Sequence, residues 1–262
     1  MLNVKNITVE YDERPVVEDF SLEMGEGEIV SLVGESGSGK TTVIRAILGL
    51  LPEGGEVTRG EIFFDGKSLL DCPKKDLIAM RGRDMSMIFQ DCGAMIDPTS
   101  TIGSQFIEYI RTHEKMGKRE AYDRAAKMLT AMRLPDADNV MHSYPFQLSG
   151  GMRQRVGIAM AMTFEPKLLM ADEPTSALDV TTQGQIIRQM MDMYKEHKTS
   201  IIIVTHNLGV AAYMSDQILV MKGGKVVERG DREKILHHPE DPYTVNLLDS
   251  IPKMDGEVYV EY

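Results

Sequence analysis

An eight-residue stretch near the N-terminus has the residue types of a phosphate-binding loop. It reads Gly34-Glu35-Ser36-Gly37-Ser38-Gly39-Lys40-Thr41 and fills every position of the pattern G-x-x-x-x-G-K-[ST]. Its glycines allow a tight turn that points backbone N–H groups inward, where an anion is attracted. Lys40 could reach the β- and γ-phosphates of a nucleotide, and the Thr41 hydroxyl could hold Mg²⁺.

The flanking segments predict the frame that such a loop needs. A short β-branched strand, 28–33, precedes it, and a helical run, Thr42 to Leu48, follows it and ends at Gly49. This order places the loop at the positive N-terminus of a helix. We therefore expect a nucleotide site formed by 34–41 together with Thr42. A Gly/Ser-rich turn that binds nothing is the disfavoured alternative.

Composition limits the classes of function. The chain has 262 residues, a net charge of −11 and a pI of about 5.1, which disfavours a broad basic face for nucleic acid. No apolar run approaches the ~20 residues that cross a bilayer, and the N-terminus lacks a signal-peptide pattern, so we expect a cytoplasmic protein. Cys72 and Cys92 lack C-x-x-C spacing, which predicts reduced thiols rather than a zinc or iron–sulfur site.

The apolar pattern predicts an α/β fold. Alternating strands within 2–24, broken at 12–15, and a strand at 61–66 indicate a small antiparallel sheet. Continuous apolar runs at 168–171, 201–204 and 217–221 indicate a parallel sheet covered on both faces, followed by a hairpin turn at 222–225. Residues 94–163 have helical character. We expect one domain, 1–262, with a P-loop NTPase parallel-sheet core, an antiparallel β subdomain and an inserted α-helical subdomain.

Two acidic residues and a histidine follow buried strands. Asp172 and Glu173 come after strand 168–171, and His206 comes after strand 201–205. Open α/β sheets bind ligands at the carboxyl edge of their strands. There Asp172 could hold Mg²⁺ through water, Glu173 could polarise a water that attacks the γ-phosphate, and His206 could hydrogen-bond that phosphate. A solvated turn and a structural histidine are the alternatives, and the phosphate loop disfavours them.

A second helix N-terminus is predicted at 148–152, Leu-Ser-Gly-Gly-Met. Ser149 is a suitable N-cap, and one helical face behind it comprises Val156, Ala159, Met160 and Thr163. This N-terminus is a second anion site. One triphosphate in a single active site does not need two helix N-termini.

With these motifs the chain resembles the ATPases of ATP-binding-cassette (ABC) transporters, whose signature is L-S-G-G. The resemblance covers nearly the whole chain in order. Tyr11 matches the aromatic that stacks on adenine, 34–41 the first nucleotide motif, Gln90 the glutamine that links the γ-phosphate to the helical subdomain, 148–152 the signature, 168–173 the second nucleotide motif, 176–179 the dimer-contact loop and His206 the switch histidine. It implies ATP and Mg²⁺ as ligands, with Glu173, His206, Gln90 and Lys40 catalytic, Thr41, Gln90 and Asp172 near the metal, and Ser149, Gly150 and Gly151 against nucleotide.

The C-terminal tail, about 236–262, indicates which branch of the ABC transporter family the chain resembles. His238 to Thr244, followed by Leu247-Leu248 and Ile251-Pro252, is similar to the H-P-Y-T tail of dipeptide, oligopeptide and nickel importers. Asp241 replaces the usual histidine before Pro-Tyr. The glutamine loop, 89–93, lacks the proline that commonly follows the acid. Peptide-type members often continue into a cysteine-bearing extension, which this sequence, ending at Tyr262, does not include. We therefore expect nickel or a nickel chelate, rather than peptides, as the transported solute.

The resemblance implies the ATP-hydrolysing subunit of an ABC importer at the cytoplasmic face of the membrane. Its partners would be two transmembrane permease subunits, an extracytoplasmic solute-binding protein indirectly, and a second ATPase subunit in a dimer that sandwiches two ATP molecules. A heterodimer is favoured over a homodimer, and no nucleic acid is expected. The alternative is a soluble cassette ATPase of DNA repair or translation. A regulator without turnover is disfavoured by Glu173.

Methionines are frequent in the helical half of the chain. They are Met85, Met87, Met95, Met116, Met128, Met132, Met141, Met152, Met160 and Met162. The favoured interpretation is that they fill a core, and the alternative is that some line an adaptable groove for a permease helix.

Overall fold

A computed structural model describes residues 1–176, 178–249, 253–254 and 257–258. The chain divides into two compact units. The first unit comprises 1–78 and 200–262, and the second comprises 79–199. Ala177 of the predicted dimer-contact loop, and Ile251 and Pro252 of the tail motif, lie outside the described residues.

The first unit contains an antiparallel sheet of β1 (Leu2–Tyr11), β2 (Arg14–Met24), β4 (Gly55–Phe64) and β5 (Lys67–Ser68). The strand order in this sheet is β2-β1-β4-β5. The predicted break at 12–15 is shorter, because only Asp12 and Glu13, both at positive φ, turn the chain. The strand predicted at 61–66 begins earlier because β4 pairs with β1 along its length.

Parallel strands form the core of the first unit. β3 (Ile29–Val33) pairs with β8 (Ser200–Thr205) on one side and with β9 (Gln217–Lys222) on the other. β10 (Lys225–Gly230) runs antiparallel to β9 around the predicted turn. Every residue of β3 and β8 is buried, which explains their continuous apolar sequence.

The helices of the first unit follow its strands in the chain. They are α1 (Lys40–Leu48), α9 (Leu208–Met214), α10 (Arg232–His237) and α11 (Pro242–Asp249), together with α2 (Lys74–Met80), whose last two residues are assigned to the second unit. A two-stranded ladder, β11 (Lys253–Met254) with β12 (Glu257–Val258), comes last. α1 ends at Gly49, whose φ of 61° gives the predicted left-handed C-cap.

The second unit contains the helices predicted within 94–163. Two parallel strands, β6 (Met85–Ile88) and β7 (Leu168–Asp172), accompany them. The helices are α3 (Cys92–Met95), α4 (Ile102–His113), α5 (Lys118–Ala131), α6 (Ala137–His142), α7 (Gly150–Met162) and α8 (Val180–His197), with a 3-10 turn at Pro145–Gln147. The unit is wider than the predicted subdomain because β6, β7 and α8 cluster with its helices.

The buried positions of two helices differ in their distribution. On α5, Ala121, Ala125 and Leu129 are buried, and their spacing of four residues places them on one face of the helix. On α7, Gln154, Ile158, Ala161 and Met162 are buried in addition to Val156 and Ala159, because this helix packs against α3, α5 and β6. The prediction of a single buried face was therefore too narrow for α7.

Several methionines of the second unit belong to its core. Met85, Met132, Met141 and Met162 are buried, whereas Met95 is 61% exposed. The interpretation that methionines fill the core fits the four buried residues, and the groove for a permease helix stays a prediction.

Among the described residues, no helix has both the length and the apolar character that spanning a membrane requires.

Candidate nucleotide site

The loop 34–41 joins β3 to α1 and needs its glycines. Gly34, Gly37 and Gly39 have φ values of 154°, 81° and 97°, which residues with a Cβ rarely adopt. At Gly34 a Cβ would lie 2.1 Å from the carbonyl oxygen of Met221. The glycine pattern therefore has a steric cause as well as a conformational one.

The Lys40 side chain lies within this loop. It is only 5% exposed, and its Nζ donates to the carbonyl oxygens of Gly34 at 2.7 Å and Glu35 at 2.6 Å, and to Ser38 Oγ at 3.1 Å. A buried ammonium group needs such acceptors. Phosphate oxygens are stronger acceptors that could replace them, so the loop places a positive charge where the sequence predicts a phosphate.

The first turn of α1 adds backbone donors to the loop. Its N-cap residue, Gly39, has no side chain to accept from the first amides of the helix, and amides at a helix start have no intrahelical partner. Thr41 and Thr42 lie half-buried in this turn. The arrangement suits an anion at the positive end of the helix.

Tyr11 and His206 belong to the same unit as this loop. Tyr11 ends β1 and its ring covers Gly55, where a Cβ would lie 2.5 Å from Tyr11 Cε1. Val33 pairs with Thr205 in the parallel register of β3 and β8, so the loop and His206 leave their strands at the same edge. His206 is exposed there.

The second unit brings Gln90 and Glu173 together. Gln90 Nε2 donates to Glu173 Oε2 at 3.4 Å. Asp172 is the last residue of β7 and is buried, and Glu173 follows it with a φ of 44°. Positive φ is uncommon for a residue with a side chain and often occurs at functional sites.

The signature segment has the predicted N-cap. Ser149 Oγ accepts from the Met152 amide at 3.3 Å, and Ser149 and Gly150 are both exposed. A Cβ on Gly151 would lie 2.9 Å from Thr182 Cγ2. Glycine at 151 thus allows α7 to approach α8.

Gln154 is a residue that the sequence interpretation missed. Its buried side chain accepts from the Cys92 amide at 3.4 Å and donates to the Pro174 carbonyl oxygen at 2.7 Å. Cys92 lies two residues after Gln90, and Pro174 directly follows Glu173. Gln154 therefore bridges the two segments that carry those side chains. The available signal was a polar residue among the apolar positions of α7.

Cys92 occupies the position at which the family commonly has proline. A proline has no N–H to offer Gln154. Burial raises the pKa of the Cys92 thiol to about 11, so the group is protonated at neutral pH and acts in packing. A Cβ on Gly157 would lie 2.5 Å from Cys92 Sγ, which explains glycine at that position of α7.

Comparison with known proteins identifies the family. A family model described as ABC transporter matches residues 17–176, more than half of the chain. The chain belongs to the ABC transporter family. This ABC transporter ATPase is 43% identical to the oligopeptide transport ATP-binding protein OppD of Haemophilus influenzae, over 98% of this chain and 80% of that protein. It is 42% identical to the dipeptide transport ATP-binding protein DppD of Bacillus subtilis, over 97% and 78%.

Solved structures agree with this family assignment. The dimeric structure of a bacterial ABC transporter cassette matches with a TM-score of 0.79 and 29% identity, over 88% of this chain and 99% of that one. A post-hydrolysis state of such a cassette, bound to ADP and Pi, matches with a TM-score of 0.78 and 29% identity over the same shares. The predicted fold class, the resemblance to ABC transporter ATPases and the predicted enzyme class are therefore confirmed for this ABC transporter ATPase.

Proposed function

We propose that this ATPase energises the import of di- or oligopeptides across the cytoplasmic membrane. The supporting observation is the set of relatives named oligopeptide or dipeptide transport ATP-binding proteins, which are 40% to 43% identical to this chain. The lean toward nickel that the C-terminus suggested has no support among them. Peptides therefore replace nickel as the proposed solute, and nickel is the alternative that the experiment must distinguish.

Residues of the first unit would bind ATP. Tyr11 would stack on adenine, and the amides of the loop 34–41 would surround the phosphates. Lys40 would exchange the protein acceptors described above for β- and γ-phosphate oxygens, which carry full charge. His206, at the same edge, would hydrogen-bond the γ-phosphate.

The proposed metal site suits Mg²⁺. Its candidate ligands are oxygens: the Thr41 hydroxyl, the Gln90 side-chain carbonyl and the buried Asp172 carboxylate, which would act through water. In the part of the chain that the structure describes, no cluster of three His, Cys, Asp or Glu could hold a metal. Mg²⁺ commonly uses one or two protein oxygens besides waters and phosphates. When bound, it would neutralise phosphate charge.

Glu173 would act on the attacking water. Its carboxylate would accept a hydrogen bond from that water and orient it toward the γ-phosphorus, so that ATP and water give ADP and phosphate. The hydrogen bond from Gln90 would hold Glu173 in position. Gln90 lies two residues before α3, the first of the helices that follow it in the second unit. The same contact would therefore couple binding of the γ-phosphate to the position of these helices.

A second ATPase subunit would complete the site. Ser149 and Gly150 are exposed at the start of α7, where they could contact nucleotide held by another subunit. The neighbouring cassettes of known structure are described as dimeric. We propose a heterodimer with a different ATPase subunit, bound to two permease subunits at the cytoplasmic membrane face and served by an extracytoplasmic solute-binding protein.

Co-purification tests this proposal against the nucleic-acid alternative. The tagged chain, isolated from mild-detergent extracts, should retain two integral membrane subunits and a second ATPase, with or without nuclease treatment. A soluble complex that nuclease disperses would contradict the importer and favour DNA repair or translation.

A further inference from the structure

The C-terminal segment contacts the phosphate loop through Tyr243. This residue of α11 is 7% exposed, and its hydroxyl accepts a hydrogen bond from the Glu35 amide at 2.9 Å. Glu35 is the second residue of the loop 34–41. The side chain of Glu35 is exposed, so the tail holds the backbone of the loop at this position.

Tyr243 and Lys40 bind opposite ends of one peptide group. The N–H of the peptide between Gly34 and Glu35 donates to Tyr243, and its carbonyl oxygen accepts from Lys40 at 2.7 Å. A peptide group is planar, so fixing the direction of its N–H also fixes the direction of its C=O. Tyr243 thereby fixes the orientation of the Gly34 carbonyl group, which accepts a hydrogen bond from Lys40.

A chain of hydrogen bonds determines the position of Tyr243. Asp241 Oδ1 accepts from the Tyr243 amide at 2.8 Å. The buried Glu228 carboxylate accepts from the amides of Glu240 at 2.8 Å and Asp241 at 3.2 Å. Asp241, which replaces the usual histidine of the tail pattern, thus has a positioning task that a short carboxylate performs well.

Apolar packing joins the same segment to two elements of the nucleotide site. Tyr243 and Leu248 pack in one buried cluster with Val33, which directly precedes the loop. The cluster also contains Leu208 and Ala211 of α9, the helix that begins just after His206. The tail therefore contacts the elements that carry both the phosphate loop and the switch histidine.

From these contacts we propose that Tyr243 is a positioning residue for the phosphate loop, which makes α11 part of the nucleotide site. The inference rests on the proposed function, in which 34–41 binds the phosphates of ATP. Without the hydroxyl, the peptide between Gly34 and Glu35 can rotate in the ATP-free protein. ATP must then order the loop as it binds, which lowers its affinity.

The variant Tyr243→Phe tests this inference, because it keeps the ring and removes only the hydroxyl. We expect the Kd for ATP, measured by calorimetric titration, to rise about two- to tenfold, the range of one neutral hydrogen bond. Hydrogen exchange at the Glu35 amide should accelerate by a similar factor. Tyr122→Phe is the matched control, since its hydroxyl bonds to Asp138 in the other unit, and it should change neither value.

Lys40→Ala separates the two possible failures. If it weakens ATP binding while Tyr243→Phe does not, the inference about Tyr243 is wrong and the nucleotide site stands. If Lys40→Ala leaves ATP binding unchanged, the proposed nucleotide site itself is wrong. Exchange in the parent protein gives a test that needs no variant. A Glu35 amide that exchanges as fast as an unprotected loop amide would overturn the inference.

Discussion

Gln90 donates a hydrogen bond to Glu173 although 83 positions separate them in the chain. The register of two strands brings them together. β6 and β7 are parallel and Ile88 pairs with Ala171, so each side chain lies two residues beyond the same paired position. The geometry of a parallel ladder therefore places an amide and a carboxylate at one sheet edge, where open α/β sheets bind ligands.

The substitution Glu173→Gln should separate ATP binding from hydrolysis. Glutamine keeps the shape of the side chain but loses the charge that orients the attacking water. We expect ATP affinity within about threefold of the parent and a kcat lower by about 10²- to 10⁴-fold. Single-turnover hydrolysis and nucleotide titration measure the two quantities. The control is Glu120→Gln, at an exposed position of α5. Parent-like turnover by Glu173→Gln would exclude this residue from the mechanism.

The substitution Gln154→Leu should damage both stability and turnover. Leucine fills a similar volume but leaves the Pro174 carbonyl and the Cys92 amide without the partner that they have now. We expect the free energy of unfolding to fall by about 1–3 kcal/mol. Because the segments after Gln90 and Glu173 lose their bridge, kcat should fall about tenfold.

The exposed Gln185, whose side chain accepts from Arg155 at 2.7 Å, provides a control for that experiment. Gln185→Leu should leave kcat unchanged. If Gln154→Leu lowers stability but keeps the parent kcat under conditions where it is folded, Gln154 has no positioning role in catalysis.

Glu228 gives the tail a predicted pH dependence. Its burial opposes ionisation, but the hydrogen bonds that its carboxylate accepts, including those from the amides of Glu240 and Asp241, hold its pKa below the ordinary value of 4.5. The ionised form therefore stabilises the fold above that pH, and this contribution is lost as pH falls through the lowered pKa. Glu228→Gln should lower stability at pH 7 and differ less from the parent in acid.

Denaturant unfolding of parent and variant at neutral and acidic pH measures this difference, with the exposed Glu233→Gln as control. A gap between parent and Glu228→Gln that stays constant, or widens, in acid would contradict the assignment.

A shared active site predicts activity that depends on association. In the proposed dimer the exposed Ser149 would contact nucleotide held by a second subunit, so the isolated chain should hydrolyse ATP poorly. Specific activity should rise with protein concentration and on addition of the second ATPase subunit. Activity strictly proportional to concentration at every dilution, with no response to the partner, would indicate a site complete within one chain.

The parts of this site that the sequence predicted are those that depend on neighbours in the chain. The loop 34–41 is defined by glycine, lysine and threonine at fixed spacing, and the Ser149 cap is local too. Gln154 and Tyr243 depend on partners that lie far away in sequence: Cys92 is 62 positions from Gln154, and Glu35 is 208 from Tyr243. Pattern and propensity carry no information on such contacts.

The start of β4 and the burial of α7 also depend on contacts between residues that are distant in sequence. β4 begins at Gly55 because its backbone pairs with β1, although 55–60 lack apolar alternation. α7 is buried on more sides than one periodic face predicts, because α3, α5 and β6 all pack against it. Tertiary contacts determine both results.

ATP hydrolysis in the reconstituted importer tests most directly whether this ATPase energises peptide import. The chain, its permease partners and its second ATPase subunit are placed in proteoliposomes with the solute-binding protein, which is titrated with di- and oligopeptides and with Ni²⁺. We predict that the peptide-loaded binding protein stimulates hydrolysis and that peptide moves from the side of the binding protein to the side of the ATPase and accumulates there, whereas Ni²⁺ alone has neither effect. Stimulation by Ni²⁺ with no response to any peptide would contradict the claim.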